Sequence, residues 1–296
     1  MAVDKTELET ITVKFAGDSG DGIQLTGDQF GNTTAIAGND FATFPDFPSE
    51  IRAPLGTTYG VSSYQIQFAS KDIYTPGDRP DVLVCFNPAA LKVNLTVVNK
   101  GAIIVVNQDE FNEKNIKKAG FDSDPLEPGN KLLSDFTVHK IPITTLTLEA
   151  LVDMEMGHQD KLRCKNFLAL GVVSWLFSRS LEPIENFLKA KFGKKQMVLE
   201  ANTKVLHAGF NICDTMEIFP VMYKVPPAKL EPGTYRNING ALATTYGLLT
   251  AAEKIDLPIV YAGYPITPAS EVLHLLSALK QFDVSAVQTE DEIAAI

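Results

Sequence analysis

From Phe219 to Gly240 the chain reads FPVMYKVPPAKLEPGTYRNING, with prolines at 220, 226, 227 and 232 and a glycine at 233. Proline lacks the amide proton that a helix interior or a central strand requires, so neither element can run through this stretch. The chain must therefore fold as two bodies. We place the linker at 213–236, with a first domain over 1–212 and a second over 237–296.

The first domain opens with ITVKFA (Ile11 to Ala16), alternating and β-branched, which runs into GDSGDGIQLTGDQFGNTTAIAG, a glycine loop followed by a helix. In YGVSSYQIQFAS, residues Tyr64, Ile66 and Phe68 share one face of a strand. DVLVCFN and GAIIVVNQ are short apolar runs of the kind buried in parallel sheets, and PAALKVNLTVVNK between them reads as a crossover helix starting at Pro88. This order predicts a doubly wound, Rossmann-like α/β sheet. From Leu146 to about Phe210 the pattern is helical, and the last helices are expected to cover the sheet. The second domain begins α/β afresh: helix GALATTYGLLTAAEKI, strand PIVYAG, turn, helix ASEVLHLLSALKQF, strand VSAVQ, and TEDEIAAI opening another helix. We expect this domain to continue beyond Ile296, because one turn of helix is marginal alone.

A net charge of -10 argues against a nucleic-acid partner, which calls for clustered Lys and Arg. No stretch approaches the roughly 20 apolar residues of a spanning helix, and MAVDKTELET is too polar for a signal peptide. A cytoplasmic protein with no membrane contact is expected. Cys85, Cys164 and Cys213 are odd in number and far apart, and the four histidines show no metal spacing, so this chain is expected to hold no metal.

Three places carry candidate chemistry. Gly17, Gly20 and Gly22 form G-x-x-G-x-G ahead of a helix, a setting that favours anions, yet Asp18 and Asp21 sit inside the loop and would repel a pyrophosphate. A nucleotide site, a contact with another ligand or domain, and a tight structural turn all remain open there. Arg52 stands in a Pro/Gly-rich loop, FPDFPSEIRAPLGTTYG, and could pair bidentately with a carboxylate. The third place is AGYPITPASEVLHLL. Gly263 to Pro265 turn at the carboxyl end of a parallel strand, where open α/β sheets bind ligands, and Thr267 is suited to cap the next helix with Pro268 at its first position. One strand later, VQTEDEIAAI offers Thr289 as cap and Glu292 as its capping-box partner. Glu290, at the first helical position, is left without a structural reason.

GYPITPASE followed by QTEDEIAAI, preceded by GALATTYGLLTAA, resembles the pyrimidine-binding domain of the 2-oxoacid:ferredoxin oxidoreductases, whose signature turn is Tyr-Pro-Ile-Thr-Pro-Ser. FAGDSGDGIQLTGDQF, FPDFPSEIRAP and DVLVCFNPAAL resemble the gamma domain that many of these enzymes fuse ahead of it. The gamma-first order and the PDFPSEIRAP loop look most like the alpha subunits of the 2-oxoglutarate branch, or 2-oxoglutarate synthases. The resemblance spans essentially the whole chain.

It implies thiamine diphosphate shared with a beta subunit, which would also carry Mg2+ and a 4Fe-4S cluster. Coenzyme A would be a co-substrate, ferredoxin the electron partner, and a dimer of αβ heterodimers the assembly. Glu290 would be the catalytic glutamate at N1' of the aminopyrimidine, in a dry site that raises its pKa. Pro265 and Ile266 would touch the cofactor, Thr267 and Arg52 the substrate, and Gly17, Gly20 and Gly22 coenzyme A or another domain. Pyruvate or another 2-oxoacid is the alternative substrate, and a non-catalytic assembly module the alternative function. The chain departs from the family at the glycine loop, often Gly-x-Gly-Gly-Gln-Gly, and at GALATTYG, where relatives often have Gly-Asn-Glu-Ala.

Overall fold

The computed structural model describes residues 4–48 and 53–296 and divides into two compact units, Met1–Glu231 and Pro232–Ile296. In chain order the first unit holds β1 (Asp4–Glu7), β2 (Thr10–Asp18), α1 (Ile23–Ile36), β3 (Asp40–Asp46), β4 (Val61–Ala69), β5 (Val82–Cys85), α2 (Pro88–Asn94), β6 (Ile103–Asn107) and α3 (Glu113–Lys118). There follow β7 (Thr137–Ile141), α4 (Ile143–Ala150), α5 (His158–Leu162), α6 (Lys165–Leu176), α7 (Glu182–Phe192), α8 (Gln196–Thr215) and β8 (Val221–Lys224).

Six of these strands form one sheet in the order β3-β4-β2-β5-β6-β7. β2, β5, β6 and β7 are parallel, as the continuous apolar runs of β5 and β6 predict for those two. β4 lies antiparallel to both β2 and β3, so the doubly wound sheet gains a two-stranded antiparallel margin.

The two faces bury separate cores. On one, Phe15, Phe30 and Phe68 pack with Phe177, and the ring of Phe30 meets those of Phe15 and Phe68 edge-on at 5.8 and 5.7 Å. On the other, Leu83, Ile104 and Val106 pack with Leu91 of α2. α6 is buried along almost its whole length, so its apolar character all round makes it a core helix. It crosses α8 at Gly171 and Gly209. A Cβ at Gly209 would lie 2.1 Å from the Leu168 carbonyl oxygen, and one at Gly171 would lie 2.2 Å from that of Leu206. The two backbones touch there. Trp175 and all three cysteines are buried core residues.

The connection between the units is shorter than the sequence predicts. α8 runs to Thr215, and Val221–Lys224 pairs in parallel with β1 as an edge ribbon, a strand fitted between Pro220 and Pro226. Beyond it, Asn39 Nδ2 donates to the carbonyl of Pro226 at 2.6 Å, and the Ala228 amide donates to Gly38 O at 2.8 Å. The chain is thus pinned to the first unit as far as Ala228. Asn39 Oδ1 in turn accepts from Arg179 Nη2 at 2.6 Å, and that guanidinium lies over the Phe68 ring.

The second unit holds α9 (Gly240–Ile255), β9 (Ile259–Gly263), α10 (Ser270–Ala278), β10 (Val284–Gln288) and α11 (Glu292–Ala295), with β9 and β10 parallel. Thr245 and Leu249 of α9 and Leu273 and Leu276 of α10 are its buried residues. No described helix in either unit is long and apolar enough to cross a membrane.

Candidate functional site

In the first unit the candidate site lies where β2 ends and α1 begins. Two of its glycines have structural reasons of their own. Gly22 has φ +75°, and a Cβ on Gly17 would stand within 2.9 Å of atoms of Asp21, Ile23 and Phe86. Around Gly20 there is open space.

The loop's acids are held tightly. Asp21 Oδ2 accepts the Asp18 amide at 2.9 Å, Asp18 Oδ2 accepts the Gly56 amide at 2.9 Å, and Lys165 Nζ pairs with Asp21 Oδ1 at 2.8 Å. Burial raises the Asp18 carboxyl to about 6, helped by the neighbouring charge of Asp21. For Lys165 burial pulls downward most strongly of any single cause, but the charge and hydrogen bond of Asp21, joined by the charges of Glu110 and Asp18, together leave the ammonium above the usual lysine value. The loop is therefore anion-like at its own tip. The Asp40 carboxylate accepts from the amides of Phe41 and Ile73. Along the same sheet edge Asn87 caps α2 by accepting the Ala90 amide, and Pro88 stands in its first turn as predicted. Arg52 lies outside the described residues.

In the second unit the turn after β9 and the bend after β10 adjoin, because the two strands are parallel neighbours and both end at the same edge. The Thr289 amide donates to Gly263 O at 2.9 Å. Two local expectations are corrected here. Thr267 does not cap α10, and Pro268 is not its first residue. The helix starts at Ser270, whose hydroxyl accepts the Ile266 amide and donates to the Ile266 carbonyl, both at 2.8 Å, so the serine closes the turn. Nor does Thr289 form a capping box with Glu292. Asp291 is the cap, accepting the Ala294 amide at 2.9 Å, and a nearer carboxylate wins that role.

Glu290 consequently stands in the bend before α11, not in its first turn, and it is exposed on this chain. The dry setting expected for it is not provided by the second unit itself. Pro265 and Thr267 are exposed and Ile266 is half-buried. The Thr267–Pro268 peptide is cis.

Sequence reasoning overlooked two side-chain ties around this edge. Tyr264 donates its hydroxyl to Glu292 Oε1 at 2.8 Å, and Asn239, the cap of α9, donates Nδ2 to Glu271 Oε1 at 2.8 Å. Both join residues far apart in sequence, so spacing alone carries no signal for them. Among the described residues no group of three or more His, Cys, Asp and Glu comes together to hold a metal.

The fold and these two edges define a two-unit α/β protein whose described candidate residues lie in strand-to-helix turns. Residues 12–212 match the family model described as pyruvate ferredoxin/flavodoxin oxidoreductase, and residues 252–296 match its thiamine diphosphate-binding domain. The chain belongs to the pyruvate ferredoxin/flavodoxin oxidoreductase family.

Among its relatives, the 2-oxoglutarate oxidoreductase subunit KorA of Mycobacterium tuberculosis is 50% identical over 295 residues, all of this chain and 45% of that protein. Subunit alpha of 2-oxoacid:ferredoxin oxidoreductase 1 from Aeropyrum pernix is 25% identical over 171 residues, 53% of this chain and 26% of that protein. Among solved structures, 2-oxoglutarate:ferredoxin oxidoreductase from Magnetococcus marinus, described with 2-oxoglutarate, coenzyme A and succinyl-CoA bound, superposes with a TM-score of 0.71 at 28% identity, covering 97% of this chain and 44% of that one. The chain thus spans less than half the length of these relatives.

Proposed function

We propose that the protein is an alpha subunit of a thiamine diphosphate-dependent 2-oxoacid:ferredoxin oxidoreductase acting on 2-oxoglutarate. It would convert 2-oxoglutarate, coenzyme A and oxidised ferredoxin reversibly to succinyl-CoA, carbon dioxide and reduced ferredoxin. The observation that carries this reading is the adjacency of the Pro265 turn and the Glu290 bend at the carboxyl ends of neighbouring parallel strands, inside the segment that matches the thiamine diphosphate-binding model. The 50% identity with a 2-oxoglutarate oxidoreductase subunit favours 2-oxoglutarate over pyruvate. A beta subunit supplies Mg2+ and the 4Fe-4S cluster, in a cytoplasmic dimer of αβ heterodimers. Residues 1–212 act as the gamma domain and those from 237 onward as the pyrimidine-binding domain.

The residues at the second unit's edge suit an aminopyrimidine: a carboxyl able to share a proton beside a turn that presents Pro265 and Ile266. Thiamine diphosphate, when bound, would supply a nucleophilic carbon suited to 2-oxoacid chemistry. Glu290 holds a proton at pyrimidine N1', which calls for a dry setting; because the residue is exposed on this chain, a covering partner must supply it. Thr267 donates its hydroxyl to the substrate's carboxylate or carbonyl. Arg52 pairs with the distal carboxylate that distinguishes 2-oxoglutarate from pyruvate. Gly20, with open space around it, is the glycine of the first loop best placed to approach coenzyme A or another domain.

The test is viologen reduction by the full-length protein co-purified with its beta subunit, with coenzyme A and a panel of 2-oxoacids, beside the Glu290→Gln variant. Turnover with 2-oxoglutarate that disappears in the variant is expected. Undiminished turnover in Glu290→Gln would assign the proton to another carboxylate, and inactivity with every acid would favour an assembly module.

A further inference from the structure

The Tyr264 hydroxyl donates to Glu292 Oε1 at 2.8 Å, a contact that serves neither a helix cap nor a strand. Tyr264 immediately precedes Pro265, and Glu292 lies two residues beyond Glu290. On the other side of Glu290, the Thr289 amide is bonded to Gly263 O at 2.9 Å. The bend that carries Glu290 is therefore fastened at both ends to consecutive residues of the turn, 263 and 264. Asp291, between them, is committed to the Ala294 amide.

Local stability does not account for the tyrosine's bond. A glutamate in a first helical turn is favoured by the helix dipole without a partner. What the bond does fix is the separation between the two turns. Its electrostatics agree: Glu292 is held below the usual glutamate value by its own backbone amide and the Tyr264 hydroxyl, and so stays ionised as an acceptor.

We propose that Tyr264 and Glu292 form a latch that sets where the Glu290 carboxyl stands relative to Pro265, making both of them positioning residues for the proton that Glu290 holds. The inference rests on the thiamine diphosphate reading given above. The backbone tie at Thr289 survives any side-chain change, so opening the latch pivots the bend without releasing it. Misplacement by a fraction of an ångström then lowers turnover by about tenfold, short of the hundredfold typical of a full ångström.

The experiment uses the full-length protein assembled with its beta subunit. Tyr264→Phe, Glu292→Ala, their double variant and Glu292→Gln are compared for kcat and KM, for thiamine diphosphate affinity, and for the near-ultraviolet circular dichroism that reports the protonation state of the bound aminopyrimidine. The first two should lose about tenfold in kcat with KM unchanged, and the double variant should be no worse than either. The dichroism should change while cofactor affinity holds. Glu292→Gln keeps a carbonyl oxygen to accept the phenol proton and should stay near wild type.

The proposal fails if both single variants turn over normally, if their losses add, or if turnover falls only in step with cofactor affinity while the dichroism stays unchanged. Should Tyr264→Phe not fold, the Glu292→Ala and Glu292→Gln pair carries the same comparison. Wild-type protein that neither binds thiamine diphosphate nor oxidises any 2-oxoacid would remove the functional reading itself, an outcome distinct from an active enzyme indifferent to the latch.

Discussion

Replacing Asp18 by asparagine should stabilise the protein, and only above acidic pH. Asp18 ends β2, and its carboxyl is raised from 3.8 to about 6, first by burial and then by the charge of Asp21, against the smaller pull of the Gly56 amide and Asn87. The folded state therefore binds the Asp18 proton more tightly than the unfolded chain does. Stability from this group is fully present below about pH 4, falls as pH rises between about 4 and 6, and is gone above that. A gap of about two units corresponds to about 3 kcal/mol at ~1.4 kcal/mol per unit. Because the carboxylate keeps part of its solvent contact, we reduce this to about 1–1.5 kcal/mol.

The asparagine retains a carbonyl oxygen for the Gly56 amide and removes the charge facing Asp21, so that cost is relieved at neutral pH. For a unit of this size the melting temperature should rise by about 2–6 °C at pH 7.5, and the difference should vanish at pH 4. Calorimetry of wild type and Asp18→Asn across that range is the assay. A gain that is equally large at pH 4, or a loss at both pH values, would refute the reasoning.

Gly209→Ala would place its methyl 2.1 Å from the Leu168 carbonyl. Despite the better helix propensity of alanine, it should destabilise by about 1–3 kcal/mol, read from denaturant titration. Asn39→Ala leaves the buried Arg179 guanidinium without that acceptor and frees the Val225 and Pro226 carbonyls. A loss of about 2 kcal/mol is expected, with faster hydrogen exchange at Ala228. Arg52→Ala should raise KM for 2-oxoglutarate at least about tenfold more than KM for pyruvate, as loss of a charge-assisted pair with the distal carboxylate requires. Cys85, Cys164 and Cys213 are buried with thiols raised first of all by burial, so all three should react with thiol reagents only on unfolding.

Elements whose signal is local were legible in advance. The apolar runs of β5 and β6 are parallel strands and Pro88 starts α2, because each depends on backbone chemistry within a few residues. The end of a strand near Gly263 and another at Gln288 were legible for the same reason, whereas the placement of Glu290 in a first helical turn was not borne out.

Where several side chains compete for one partner, local rules lose their force. Thr289 and Asp291 are both credible caps, and the choice of Asp291 leaves Glu292 to Tyr264. Thr267 satisfies the pattern of a cap, but the Ser270 hydroxyl closes the turn on Ile266 first. β8 escaped notice because four residues between prolines become a strand only when β1, more than 200 positions earlier, supplies the ladder. The antiparallel margin of β3 and β4 and the backbone contact of α6 with α8 are likewise long-range. Sequence alone determined which segments could become strands, helices and turns, since that follows from dihedral limits and hydrophobic period. Tertiary structure decided which donor met which acceptor, because that depends on distances between parts of the chain that the sequence does not bring together.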